Sequence, residues 1–168
     1  MNKYIFQKAQ IEEIEDIFRL YIERIHWMDI KRIRQWNVTG YLESYPIDYY
    51  REQCSLGNLY VLKNTEDNSL AGAVVLYQHD ERWSDRDESP AYYIHNLVTH
   101  PNIKGVGRLL IAATERLGIE HRKRFVRLDC SVDNSFLNDY YASKGYCEVG
   151  VCEEDLYRGI RREKELNS

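Results

Sequence analysis

From Lys3 to Lys8 the chain reads K-Y-I-F-Q-K, a short aromatic and β-branched run between polar residues, which predicts a strand over 3–8. At Gln10 the period changes. Ile11, Ile14, Ile17, Phe18, Tyr21, Ile22 and Ile25 recur three and four apart, the stripe of an amphipathic helix. Its acids Glu12, Glu13, Glu15 and Asp16 precede its bases Arg19 and Arg24, the order that the helix dipole favours. Residues 27–46 are less periodic, rich in aromatics and stopped by Pro46, which predicts a second helical piece and a loop.

A short run, 47–56, leads into two further strands, 58–64 and 70–78, joined by the turn chemistry of T-E-D-N-S and expected to pair as an antiparallel hairpin. Residues 79–90, polar and charged up to Pro90, read as a surface loop. A strand over 91–100 runs through a two-glycine turn into a helix at 107–121. A strand at 124–132, a helix at 134–144 closed by Gly145 and a strand at 146–152 follow. D-L-Y-R-G-I predicts a last edge strand ahead of a charged, frayed tail.

Hairpin strands in the middle and βαβ order in the second half give an α/β (α+β) class: a single mixed, mostly antiparallel sheet with helices on both faces. A chain of 168 residues with 43% hydrophobic content fits one domain, 1–168. Its net charge of -4 and interspersed signs provide no basic field for nucleic acid, and no stretch reaches the roughly 20 apolar residues of a membrane span. A cytoplasmic protein with a small partner is the expectation. Cys54, Cys130, Cys147 and Cys152 form no C-x-x-C pair and have no histidines at ligand spacing, so they read as free thiols and no metal site is expected. Cys130 ends the strand-like F-V-R-L-D-C, where burial is the plain reading and a thiol relay the alternative.

The glycine turn narrows the chemistry. A strand entering glycines and a helix start gathers unpaired N–H groups and a helix dipole at one point, which suits phosphate. The same glycines also serve a tight turn with no ligand. A dinucleotide site would use Gly105 and Gly107 as G-x-G and Asp129 about 20 residues on as its ribose acid, but Leu110 stands where the third glycine belongs. No G-K-[ST] follows, so a Walker loop is excluded.

The stretch Y-I-H-N-L-V-T-H-P-N-I-K-G-V-G-R-L-L-I-A-A-T-E, followed by R-L-D-C-S-V-D-N-S-F-L-N-D-Y-Y-A-S-K-G-Y, resembles the Gcn5-related N-acetyltransferase (GNAT) family, whose members bind acetyl-coenzyme A. The resemblance implies the GNAT-like acyl-CoA N-acyltransferase fold, in which the strand splays from its neighbour. The backbone of Leu97, Val98 and Thr99 would then pair with the pantetheine arm. The turn Lys104, Gly105, Val106, Gly107 and Arg108 would take the pyrophosphate. The family pattern Q/R-x-x-G-x-G/A is about two residues shorter here between proline and last glycine. Asn102 takes the Q/R place counted from the glycines and Lys104 counted from the proline; Lys104 is favoured as the useful cation near phosphate.

Acetyl transfer to an amine needs a base for the amine and an acid for the departing thiolate. Tyr141 matches the family tyrosine four residues before the helix-ending glycine, and a phenol with an ordinary pKa of about 10 is protonated at neutral pH and can donate. Asn134 opens the same helix, an N-cap by position and, by resemblance, a ligand of the coenzyme arm. His95 is the base candidate, since an imidazole with an ordinary pKa of about 6.5 suits proton removal; a water chain is the alternative. Tyr93 shares its face of the strand and is counted among the residues expected to meet the acceptor.

Trp27, Asp29, Trp36 and Tyr41, expected to line the acceptor pocket, would suit a cationic amine through ring faces and charge, or would simply plug the core. The implied activity is direct transfer from acetyl-CoA to a primary amine of a small molecule or peptide in a ternary complex. The alternative is a non-catalytic acyl-CoA-binding or sensing domain. A homodimer is compatible with such a fold.

Overall fold

A computed structural model of the chain describes residues 2–167. Two compact units interleave along the sequence, 1–76 with 96–113 and 77–95 with 114–168, so that two strands and one helix contribute residues to both.

In the first unit, β1 (Tyr4–Lys8) pairs antiparallel with β2 (Leu59–Asn64), and β2 with β3 (Leu70–Tyr77). The expected hairpin is present. Ala71 to Leu76 are all buried, without alternation, the pattern of a strand covered on both faces. Gly72 is required there: a Cβ would stand 2.8 Å from the Val98 carbonyl oxygen and 2.9 Å from side-chain carbons of Leu110 and Val106.

The first helix is longer than its periodicity implies. After a 3-10 turn at Ile11–Glu13, α1 spans Ile14–Lys31 and ends at Arg32, whose φ of 57° is left-handed. Residues 27–31 therefore belong to α1, because Met28 is buried in line with Leu20 and Tyr21. A 3-10 turn (Trp36–Val38), α2 (Tyr41–Ser44) and α3 (Ile47–Ser55) follow, and Pro46, expected to stop a helix, instead stands at the N-cap of α3.

In the second unit, β4 (Ala91–Thr99) pairs in parallel with β5 (Phe125–Ser131) through Ala91, Tyr92 and Tyr93. α4 (Val106–Glu120), like β4, has residues in each unit, and α5 (Ser135–Ser143) precedes β6 (Cys147–Glu154) and β7 (Tyr157–Glu165) in the second. The seven strands form one mixed sheet, β1-β2-β3-β4-β5-β7-β6.

The last strand corrects the sequence reading. β7 is not an edge strand with a frayed tail: it lies between β5 and β6, antiparallel to both. Its charged residues Arg161, Arg162 and Glu163 are buried because each is paired. Arg161 donates to Asp85 at 2.6 and 3.1 Å, Arg162 to Asn138 Oδ1 and the Tyr146 carbonyl at 3.1 Å each, and Glu163 accepts from Arg127 at 2.9 Å and Arg86 at 2.6 Å. The polar loop 79–90 is likewise pinned, by Trp83, 1% exposed and packed with Ala91 and Tyr93 beneath the guanidinium groups of Arg127 and Arg161.

Candidate functional site

In the first unit, the second half of β4 is fixed by helix side chains. Asn96 has a left-handed φ of 51° within the strand. Its carbonyl accepts from the Tyr21 hydroxyl at 2.7 Å, its Oδ1 from the Tyr49 hydroxyl at 2.8 Å, and its Nδ2 donates to the Tyr41 hydroxyl at 2.6 Å. Three residues on, the Arg24 guanidinium donates to the Thr99 carbonyl at 2.6 and 3.2 Å and to its Oγ1 at 2.5 Å. Burial lowers the Arg24 pKa. Val98 is buried, while Leu97 and Thr99 are partly exposed.

Past Thr99 the chain turns at His100, whose amide donates to the Ala71 carbonyl at 2.7 Å. Gly105 adopts a φ of 80°, and a Cβ there would meet nothing within 4 Å. Gly107 has ordinary contact only, 3.8 Å to Thr99 Cγ2. Lys104 and Arg108 are exposed, Val106 is buried, and Val106 to Arg108 form the first turn of α4, whose amides have no acceptor within the helix. Open space over a left-handed glycine, helix-start amides and two exposed cations fit a diphosphate. Asn102, the other candidate cradle residue, donates its backbone N–H to His100 Nδ1 at 3.2 Å.

The expected acceptor residues of this unit are partly gathered. Trp36 and Tyr41 stack at 4.2 Å with ring planes 9° apart, and Tyr41 continues through Tyr21, Tyr45, Tyr49 and Tyr50 as an aromatic cluster. Trp27 lies apart from that cluster's stacking, under the Arg24 guanidinium at 4.7 Å. Asp29 is exposed, and its Oδ1 accepts from Asn37 at 2.8 Å.

In the second unit, His95 Nε2 lies 2.6 Å from Asp80 Oδ2, with the two side chains 12% and 9% exposed. Tyr77 covers the imidazole at 4.6 Å between ring centroids. Asp80 is itself held, since its Oδ1 caps the Arg82 amide at 3.0 Å. Burial pushes the Asp80 carboxyl up, but the hydrogen bond and charge of His95, with the Arg82 amide and guanidinium, outweigh it and keep the group below its ordinary range. A carboxylate at Nε2 keeps the proton of a neutral imidazole on that nitrogen and leaves Nδ1 as the acceptor. Asp80 carried no signal in the sequence beyond an acid near the start of a polar loop.

Tyr141 is buried on α5, its ring edge-on to Tyr140 at 5.4 Å and to Tyr146 at 5.8 Å. Its hydroxyl makes no hydrogen bond among the described residues, and burial, with Cys130, Tyr140 and Asp129 nearby, raises its pKa well above that of an ordinary phenol. Asn134 is the N-cap of α5, accepting from the Leu137 amide at 2.9 Å. Cys130 is buried, and desolvation pushes its thiol up to about 11, which suits packing rather than attack. Tyr93 is core: 2% exposed, its hydroxyl accepting from Arg127 at 2.8 Å. Among the described residues no cluster of His, Cys, Asp and Glu could hold a metal, and no helix is long and apolar enough to cross a membrane.

The same arrangement of elements occurs in known proteins. A structure from Listeria monocytogenes described as a GNAT-family acetyltransferase superposes with a TM-score of 0.82 at 24% identity, covering 97% of this chain and 95% of that one. The PaiA N-acetyltransferase of Thermoplasma acidophilum, solved with coenzyme A, gives 0.69 at 16% identity over 98% and 99% of the chains. In sequence, YesJ of Bacillus subtilis, named as an uncharacterized N-acetyltransferase, is 27% identical over 151 residues, 85% of this chain and 81% of that protein. The pattern of the Acetyltransferase (GNAT) family matches residues 30–146, well over half of the chain, and the chain belongs to that family.

Proposed function

We propose that this acetyltransferase moves the acetyl group of acetyl-CoA directly to a primary amine of a small molecule or peptide, in a ternary complex. The Leu97–Thr99 backbone pairs with the pantetheine arm, the turn from Lys104 to Arg108 receives the diphosphate, and Asn134 adds a contact to the arm. His95 Nδ1 takes a proton from the ammonium or attacking amine, the nitrogen bonds to the thioester carbon, and the C–S bond then breaks. The Tyr141 hydroxyl gives its proton to the departing thiolate.

The observation that carries this reading is the His95–Asp80 pair, because a carboxylate that fixes the tautomer and ring angle of a histidine supplies what a general base needs. The Tyr141 hydroxyl, without a hydrogen bond among the described residues, supports the complementary acid. The free thiols accord with a reducing, cytoplasmic setting.

The test is calorimetric titration with acetyl-CoA, with NAD as control, and then release of free coenzyme thiol across a panel of primary amines. Binding of acetyl-CoA alone with amine-dependent thiol release is the expected result. Binding without release from any amine supports the sensing alternative, and no binding removes the coenzyme assignment.

A further inference from the structure

Tyr21 and Arg24 stand three apart on α1 and so project from one face of it. Both reach β4 carbonyls that are also three apart, those of Asn96 and Thr99. A carbonyl held by a side-chain donor is fixed in direction, while its second lone pair and the neighbouring N–H groups stay available. At the start of the gripped segment, Asn96 turns the backbone through a left-handed conformation that few side chains tolerate. Its amide is anchored at both ends, by Tyr49 from α3 and Tyr41 from α2. Three helices thus converge on one residue, which none of the coenzyme or acid–base assignments uses.

We infer that Asn96 is a positioning residue for coenzyme binding: with Tyr21, Tyr41 and Tyr49 it sets the course of Leu97–Thr99, the backbone that pairs with the pantetheine arm. The inference rests on the proposed acetyl-CoA reading. An extended ligand laid along a strand meets matching N–H and C=O groups only in one register and orientation, so a rotation at Asn96 misdirects the three residues that follow. The diphosphate turn, eight residues and more away in sequence, has its own geometry set by Gly105 and the start of α4.

That separation defines the experiment. Dissociation constants are measured by calorimetry for acetyl-CoA and for 3′-phosphoadenosine 5′-diphosphate, which carries the coenzyme's phosphates without its pantetheine arm. Asn96→Ala is expected to weaken acetyl-CoA about tenfold or more, as loss of buried hydrogen bonds does, and to leave the nucleotide unchanged. Asn96→Gly, which readmits the left-handed angle, recovers part of the loss. Tyr21→Phe with Tyr49→Phe deletes two of the hydroxyls without touching Asn96, gives the same selective loss, and stands in for Asn96→Ala if that variant does not fold. Equal weakening of both ligands, or none for acetyl-CoA, overturns the inference. Wild-type protein that binds neither ligand removes the coenzyme reading itself, before any variant is compared.

Discussion

Asp80 Oδ2 and His95 Nε2 lie 2.6 Å apart, fifteen residues distant in sequence, and the same carboxylate caps the amide of Arg82 through its other oxygen. The acid is therefore fixed by the loop before it fixes the imidazole. Asp80→Asn keeps the size and an oxygen for the Arg82 cap, but it offers an N–H to Nε2 and so favours the tautomer with the proton on Nδ1. The expected outcome is a loss of turnover of about 10²–10⁴-fold, the range of acid–base contributions, with acetyl-CoA affinity retained. Steady-state rates beside calorimetry decide it, and wild-type turnover in the variant would take Asp80 out of the mechanism.

Tyr141→Phe removes a hydroxyl that makes no hydrogen bond among the described residues, so folding stability should hardly change while the proton for the thiolate is lost. Turnover should drop by about 10²–10⁴-fold with the affinity for acetyl-CoA kept. A thermal melt accompanies the kinetics. A variant that turns over at the wild-type rate with a true acceptor would show that water or another group protonates sulfur.

Gly107 separates ligand from fold in the other direction. A Cβ at this helical position meets only Thr99 Cγ2 at 3.8 Å, so the chain accepts a side chain. Valine is also a better helix former than glycine by a few tenths of a kcal/mol (about 0.3). Gly107→Val should therefore melt no lower than wild type and yet bind acetyl-CoA about tenfold more weakly or worse, because the diphosphate needs close approach to bare backbone. Undiminished affinity would place the diphosphate elsewhere.

Much of the fold could be read from periodicity because the β2–β3 hairpin and β5 bury most of what their patterns mark as apolar, although Ile5 of β1, Leu109 and Ile119 of α4 and Phe136 of α5 stay exposed. β7 could not, since R-R-E-K is central only by virtue of partners supplied from far along the chain: Asp85, Asn138 and Arg127. The loop 79–90 hid its anchor for the same reason, one Trp83 among ten polar residues. At the candidate site, His95 and Tyr141 are visible as residue types at suggestive positions. The partners that orient them are not, because Asp80 is an unremarkable loop acid and the Tyr21–Asn96 bond joins residues 75 apart. Local pattern carries the elements; long-range hydrogen bonds carry the geometry.

Glu163 provides a test of how those buried charges hold β7. Burial pushes its carboxyl up, but the hydrogen bonds and charges of Arg86 and Arg127 prevail and hold it below its ordinary range. A carboxylate depressed in the folded state adds stability that is fully present above its unfolded value of about 4.3 and is lost as pH falls through the folded value. Glu163→Gln leaves Arg127, 2% exposed, without its charge partner, an uncompensated buried cation that costs about 3–5 kcal/mol. The Arg86 bond adds little to this, since that side chain is 39% exposed. Urea unfolding of both proteins should show the full difference at neutral pH, and the difference should shrink as the wild-type carboxyl is protonated in acid. A gap that stays constant from pH 7 to strongly acidic solution would mean that shape rather than charge holds Glu163 in the sheet.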